Sequence, residues 1–361
     1  MQCTALKRRF SGSGTSIRRM EVIRRVFRRR GETELAAPAW VVDEPPAREG
    51  PLTRYFGAAS RRLRTTPALA PFSRLTIGLT YEGAALKLLV TEGRRIVSWE
   101  RIPFDPRIVN GTLIAEPYNL GRLLRDALAR RGLPKNRIHC ALPAAGALSR
   151  VVEVPKLGAR ARRQGVVAEA MRALGISPGR HYVYWQSVDE TLDSHVVFVL
   201  AVPRDAMRSL IETMRAAEIR PRSVDVTPLA LARAVGQPDE IVVELDPSGV
   251  DLIVVLDDVP LVMRSVVWGE RALTLEEAQE AALELLLNEL RGYEDVYVGS
   301  RIERTVPIYL AGDMGTGLRL SDRIRTATGH PIGRLAPLVD YPEDFPIAEY
   351  LANVGLILKE E

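Results

Sequence analysis

The chain has 361 residues, of which 46% are hydrophobic and 26% charged, and a formal charge of +5. That balance is ordinary for a globular protein with room for two domains and a tail. No apolar run approaches the roughly 18 residues of a membrane-spanning helix, no apolar N-terminal segment marks a secretion signal, and two cysteines (Cys3, Cys140) with four scattered histidines give neither a disulfide framework nor a zinc motif, pointing to reduced thiols in a cytosol.

In chain order, the first feature is a basic extension. Residues 1–72 hold 15 Lys/Arg against 6 Asp/Glu, a surplus of nine, so the remainder stands at −4. The body is therefore mildly acidic and offers no footprint for nucleic acid. Residues 31–72, rich in Pro, Gly and Arg without a sustained period, are expected to be mostly disordered. Residues 17–30 differ: Ile17, Met20, Ile23 and Phe27 fall at helical spacing, with arginines filling most of the rest, and Gly31 follows. This basic amphipathic helix suits an anionic membrane surface. An acidic protein partner, a solvated tail or a true start at Met20 are the alternatives.

From residue 73 the chain becomes regular. A three-stranded meander is expected over 75–101, then a helix over 119–131 with Asn119 as its N-cap and Gly132 at its end. A buried strand at 138–143 precedes a compact α/β segment: strand 150–154, helix 160–174, strands 182–188 and 196–202, a helix bearing Met207, Leu210, Ile211 and Met214 on one face, and strand 223–226. The segment TPLALARAVG reads as a short helix capped by Thr227 with Pro228 in its first position. A second meander starts at Ile241. A helix over 275–291 opens with Thr274 and Glu277 in the spacing of a capping box. Strand 306–311, a helix ending at Gly329 and a last helix over 347–358 complete the chain. Strands mixed with helices throughout predict α/β layers.

The two meanders share one design. Setting Thr80 on Glu244 puts Glu82 on Asp246, Leu88 on Leu252 and Val90 on Val254. Two such units in one chain predict duplicated half-domains facing each other across a cleft.

Several segments carry a family resemblance. ALPAAGALSRVVEVPKL (141–157), FVLAVPRDAMRSLIETMRAAEIRPRSVDVTPLALARAV (198–235), VPLVMRSVVWGE (259–270, with Arg264 and Gly269 in register), LLNELRGYEDVY (286–297) and the closing NVGLILK are together similar to the PilM family of type IV pilus assembly proteins, relatives of FtsA. The resemblance covers about 75–358. It implies an actin-like, ribonuclease-H-like duplicated fold: a first domain over 73–237 plus 345–361, with a small α/β subdomain inserted at 149–222, and a second domain over 238–344. It also implies a cytoplasmic protein at the inner face of the cell membrane that docks the short cytoplasmic peptide of a bitopic, PilN-like partner.

Family members bind ATP with Mg²⁺ in the cleft, and the resemblance assigns the corresponding positions to Thr80, Lys87, Glu244, Gly312 and Asp313. The match is degenerate. The first loop, close to D-I-G-S-S-S-V-K in the family, reads Thr80-Tyr81-Glu82-Gly83-Ala84-Ala85-Leu86-Lys87; the lysine stands, the Asp is Thr80 and the Gly is Glu82. The second, close to D-I-G, reads Glu244-Leu245-Asp246. The third, a Gly-Gly turn, is Gly312-Asp313. Acids thus stand where close-approach glycines are needed, and two unpaired carboxylates repel a polyanion unless a Mg²⁺ bridges them. The expectation is a scaffold that binds nucleotide weakly or not at all. An active ATPase or sugar-kinase-like enzyme is the alternative, although Asp189 and Asp193 lie in an inserted turn and offer no general base; a filament-forming protein is another. Type II secretion fuses a similar body to a transmembrane helix, and the end at Glu361 without one favours the pilus-type protein.

Overall fold

The computed structural model describes residues 75–359 except 157, 178, 269–272 and 297–301. The basic extension with its expected helix, and Gly269, lie outside the described residues. Among the described residues no helix is long and apolar enough to cross a membrane.

The meander at the start is β1 (Leu75–Glu82), β2 (Ala85–Glu92) and β3 (Arg95–Pro103). Its two tight turns place Gly83 and Gly93 at positive φ, which β-hairpin turns of this length require. A short ribbon, β4 (Val109–Asn110) with β5 (Leu113–Ile114), precedes helix Pro117–Arg130 and the fully buried β6 (Ile138–Leu142). Next come β7 (Leu148–Pro155), helix Ala159–Leu174, β8 (His181–Glu190), β9 (Ser194–Pro203), helix Arg204–Ala216, β10 (Ser223–Val226) and helix Thr227–Val235. The second meander is β11 (Glu240–Asp246), β12 (Gly249–Leu256) and β13 (Val259–Val267), followed by helix Leu275–Val296, β14 (Ile308–Ala311), helix Leu318–Thr328 and helix Leu351–Ile357.

These strands form two sheets of one plan. The first has the order β10-β6-β1-β2-β3 and the second β13-β12-β11-β14. In each, an antiparallel meander receives a parallel neighbour on its first strand, β6 on β1 and β14 on β11. The registers match as well: Thr80 faces Lys87 across β1–β2, and Glu244 faces Asp251 across β11–β12. The pairing set from sequence, Thr80 on Glu244, is therefore the structural one, and it makes Lys87 and Asp251 equivalent positions in the two halves. A separate antiparallel sheet, β7-β9-β8, is covered by helix Ala159–Leu174 through Val166 and Ala170.

Two helices lie between the sheets. Leu231 and Ala234 of helix Thr227–Val235 and Leu351 and Val354 of helix Leu351–Ile357 share one buried cluster with Leu89 and Ile96 of the first sheet and Val242, Ile253 and Val255 of the second. The halves are thus joined by apolar packing, at about 2–3 kcal/mol for each fully buried Leu or Val. The helices cross closely because Gly355 has no side chain: a Cβ there would lie 1.7 Å from the Ala230 carbonyl oxygen. On the far face of the first sheet, Leu120, Leu124 and Leu128 join Met207, Leu210 and Met214 in the main core.

Local chemistry differs from expectation at three helix starts. Helix Pro117–Arg130 begins two residues early because Pro117, with its fixed φ, opens it; Glu116 is the N-cap, and Asn119 donates its side-chain amide to Glu116 instead of capping. Thr227 lies inside its helix after Val226, its hydroxyl donating to the Leu142 carbonyl. The last helix starts at Leu351, later than expected, because a turn intervenes in which the Pro346 carbonyl accepts from the Glu349 and Tyr350 amides. The capping box stands: the Thr274 amide donates to Glu277 at 3.0 Å and the Glu277 amide to the Thr274 hydroxyl at 3.3 Å.

Candidate functional site

The β1–β2 and β11–β12 turns abut where the two halves meet; a Cβ on Gly83 would lie 3.2 Å from the Ser248 Cβ. Around this point the structure gathers Lys87, Glu244 and Asp313, with Thr80 and Gly312 in the adjoining backbone. Lys87 is at the centre and only 1% exposed. Its Nζ lies 2.6 Å from Glu82, 2.9 Å from Asp313 and 3.6 Å from Asp246, and donates to the Glu349 carbonyl at 3.0 Å. The Asp313 amide donates to Asp246 at 2.8 Å, and the Asp313 carboxylate pairs with Arg101 at the rim. Glu82 and Asp246, which the sequence offered as unpaired acids, therefore share one ammonium.

The cations come from the first half and most of the anions from the second. Lys87 and Arg101 are cross-strand neighbours on β2 and β3. Asp246 ends β11, and Asp313 follows β14. Glu82, Glu244 and Asp246 bring carboxylate oxygens within 4.8 Å of one another. Glu244 is buried, and its Oε1 has no hydrogen-bond partner. Four acids facing two bases leave an anionic surplus, which appears in the ionisation. Burial, then the facing Glu82 and Asp246, push the Glu244 carboxyl well above the usual carboxylate range, and Lys87 offsets this only in part. Burial and Glu82 do the same to Asp246. Burial alone would lower Lys87, but Glu82, Asp246, Glu244 and Asp313 together outweigh it and hold the ammonium above its ordinary value.

Thr80 and Gly312 serve the backbone around this cluster. The buried Thr80 hydroxyl donates to Asn353 Oδ1 at 3.2 Å, and Asn353 donates to the carbonyls of Gly78 and Lys87 at 3.0 and 2.9 Å, seating the last helix on the first sheet. Gly312, at φ +87°, turns back onto β11: a Cβ there would lie 2.4 Å from the Leu245 carbonyl oxygen, and the Met314 amide donates to that same oxygen. The Gly315 face is likewise filled: a Cβ there would lie 1.8 Å from the Ala311 carbonyl oxygen. The Asp313 amide N–H, which faces this centre, is already taken up by the Asp246 carboxylate.

Sequence reasoning missed Asn353, Arg101 and the Glu349 carbonyl, and the first and last had no signal of this role. For Arg101 the clue was available, since the meander register sets it beside Lys87. A second buried ion cluster joins two of the resembling segments. Asp225 accepts from Arg233 at 2.8 Å and from Lys359 at 3.1 Å, and Arg233 also donates to the Gly355 carbonyl at 3.0 Å.

Two half-domains of one plan, packed about a pair of central helices, define the actin-like fold. Among solved structures the chain is similar to one in a PilM–PilN type IV pilus biogenesis complex, with a TM-score of 0.62 and 22% identity over 78% of this chain and 97% of that one. It is also similar to the ethanolamine utilization protein EutJ from Carboxydothermus hydrogenoformans (TM-score 0.46, 16% identity, 80% of this chain and 90% of that one). A Bacteroides thetaiotaomicron protein with actin-like ATPase fold and unknown function gives a TM-score of 0.45 at 10% identity, over 81% of this chain and 100% of that one. No protein-family model matches the chain, and no curated protein matches it.

Proposed function

We propose that this protein is a PilM-like scaffold of type IV pilus assembly, working in the cytoplasm at the inner face of the membrane and docking the cytoplasmic peptide of a PilN-like bitopic partner. The observation that carries the reading is the fold likeness spanning 97% of a chain in a PilM–PilN complex, in agreement with the order of resembling segments along this chain. The cleft chemistry supports a binding role over an enzymatic one. A triphosphate would need amide donors and a cation at the point where Lys87 already sits among Glu82, Asp246 and Asp313, and the Gly312 and Gly315 faces that would admit it are filled by the protein's own backbone. The residues present therefore do not fit a Mg-nucleotide, and no catalytic step is assigned.

The test is a calorimetric titration of the full chain with a synthetic peptide copying the cytoplasmic N-terminus of a PilN-like protein. Saturable one-to-one binding, lost with a scrambled peptide, is expected; no binding overturns the docking role. The basic segment 17–30 adds contact with anionic lipid in this reading. Flotation with vesicles containing phosphatidylserine is expected to fall sharply when residues 1–30 are deleted, and unchanged flotation removes that part.

A further inference from the structure

We infer that Lys87 is a built-in cation that replaces a bound metal–nucleotide as the tie between the two halves, so that the cleft is complete in its closed form without any ligand. This deepens the cleft chemistry given above and is independent of which partner docks.

Three observations support the inference. The first is geometry: Nζ has four oxygen neighbours between 2.6 and 3.6 Å, drawn from β1, the end of β11, the turn after β14 and the turn before the last helix. One charge thus holds segments of both halves and the C-terminal closure. The second is what its loss would leave: Glu82, Glu244 and Asp246, oxygens within 4.8 Å of one another and largely buried. Carboxylates so placed need a cation or protons, and hard divalent cations take such oxygen sets. The third is Glu244, buried to 2% exposure with Oε1 unpartnered and directed into the same cluster. The acids therefore constitute a latent cation site, and the side chain of Lys87 fills it.

Removing the ammonium should expose the latent site. The experiment follows thermal unfolding of the full chain, wild type and Lys87→Ala, in EDTA and in millimolar MnCl₂. In EDTA the variant is expected to unfold about 10 °C lower, the scale of a broken buried ion pair in a chain of this size. Mn²⁺ is expected to restore most of that loss in the variant and to leave the wild type unmoved. A variant as stable as wild type in EDTA overturns the inference, and so does a wild type that Mn²⁺ stabilises as strongly as the variant. Should Lys87→Ala fail to fold, Lys87→Met combined with Glu82→Gln and Asp246→Asn removes two of the three clustered acids with the cation and leaves Glu244, which burial favours in its neutral form. That triple variant is expected to fold and to ignore Mn²⁺; its failure to fold would mean that charge neutralisation is not what Lys87 supplies, which also overturns the inference. None of these outcomes depends on peptide docking, so this inference and the scaffold role fail separately.

Discussion

Lys87 of β2 and Asp313, just beyond β14, meet at 2.9 Å and close an ion pair between the two halves of the molecule. Arg101 reaches the same carboxylate from the rim, but its side chain is 48% exposed. The two contacts should therefore differ in weight. Asp313→Ala leaves Lys87 short of one buried partner and is expected to cost about 2–3 kcal/mol, whereas Arg101→Ala, at a solvated site, is expected to cost below about 1 kcal/mol. Urea unfolding midpoints of the two variants decide this; equal costs would contradict it.

Asp251 occupies in the second half the position Lys87 holds in the first. Burial pushes its carboxyl up to about 7, the Ser265 hydroxyl lowers it in part, and Asp246 raises it. The folded value lies above the unfolded one, so the folded state holds the proton longer. Stability from this group is full below about pH 4, falls as pH rises through 7, and is flat above that. The partly exposed edge of Asp251 screens the penalty, so the loss is about 2 kcal/mol. Asp251→Asn is expected to match wild type near pH 4 and to exceed it at pH 8, and denaturant titrations at the two values provide the check.

Asp225 is the common partner of Arg233 and Lys359 and is almost fully buried. Burial alone would raise its carboxyl, but Arg233 and Lys359 outweigh that and hold it below the usual range. Asp225→Ala leaves two cations facing each other without an anion, at an expected cost of about 3–5 kcal/mol. Lys359 loses its anchor in the same variant, so hydrogen exchange should rise across Leu351–Ile357 before it rises elsewhere. Protection unchanged in that helix would contradict the link between the C-terminus and β10.

Gly355→Ala forces a methyl to 1.7 Å from the Ala230 carbonyl oxygen, and the two central helices must separate to admit it. Overpacking of this kind costs about 1–3 kcal/mol. Because these helices lie between both sheets, limited proteolysis should cut between the halves sooner in this variant than in wild type.

Much of the fold was legible in local patterns. The meander repeat gave the true equivalence of Thr80 with Glu244, because a strand register with period two admits no slip without turning its buried face outward. Thr274 with Glu277 gave a helix start, because that box is closed within one turn. Asn119 and Thr227 misled because each is an acceptable cap by residue type, yet Glu116 and Val226 are the N-caps of those helices and the side chains are used elsewhere. The site was legible only in its members. Lys87, Glu82, Asp246 and Asp313 each stood out against a motif, but their meeting depends on segments far apart in the chain. The seat of Asn353 on Gly78 and Lys87 has no periodic or motif signal at all.

Calorimetric titration of the wild-type full chain with Mg-ATP tests the central claim most directly, since it asks whether the slot beside Lys87 accepts a triphosphate. No binding heat up to millimolar nucleotide, and no phosphate release, is the predicted result. Saturable binding at micromolar Mg-ATP, with or without hydrolysis, would contradict it.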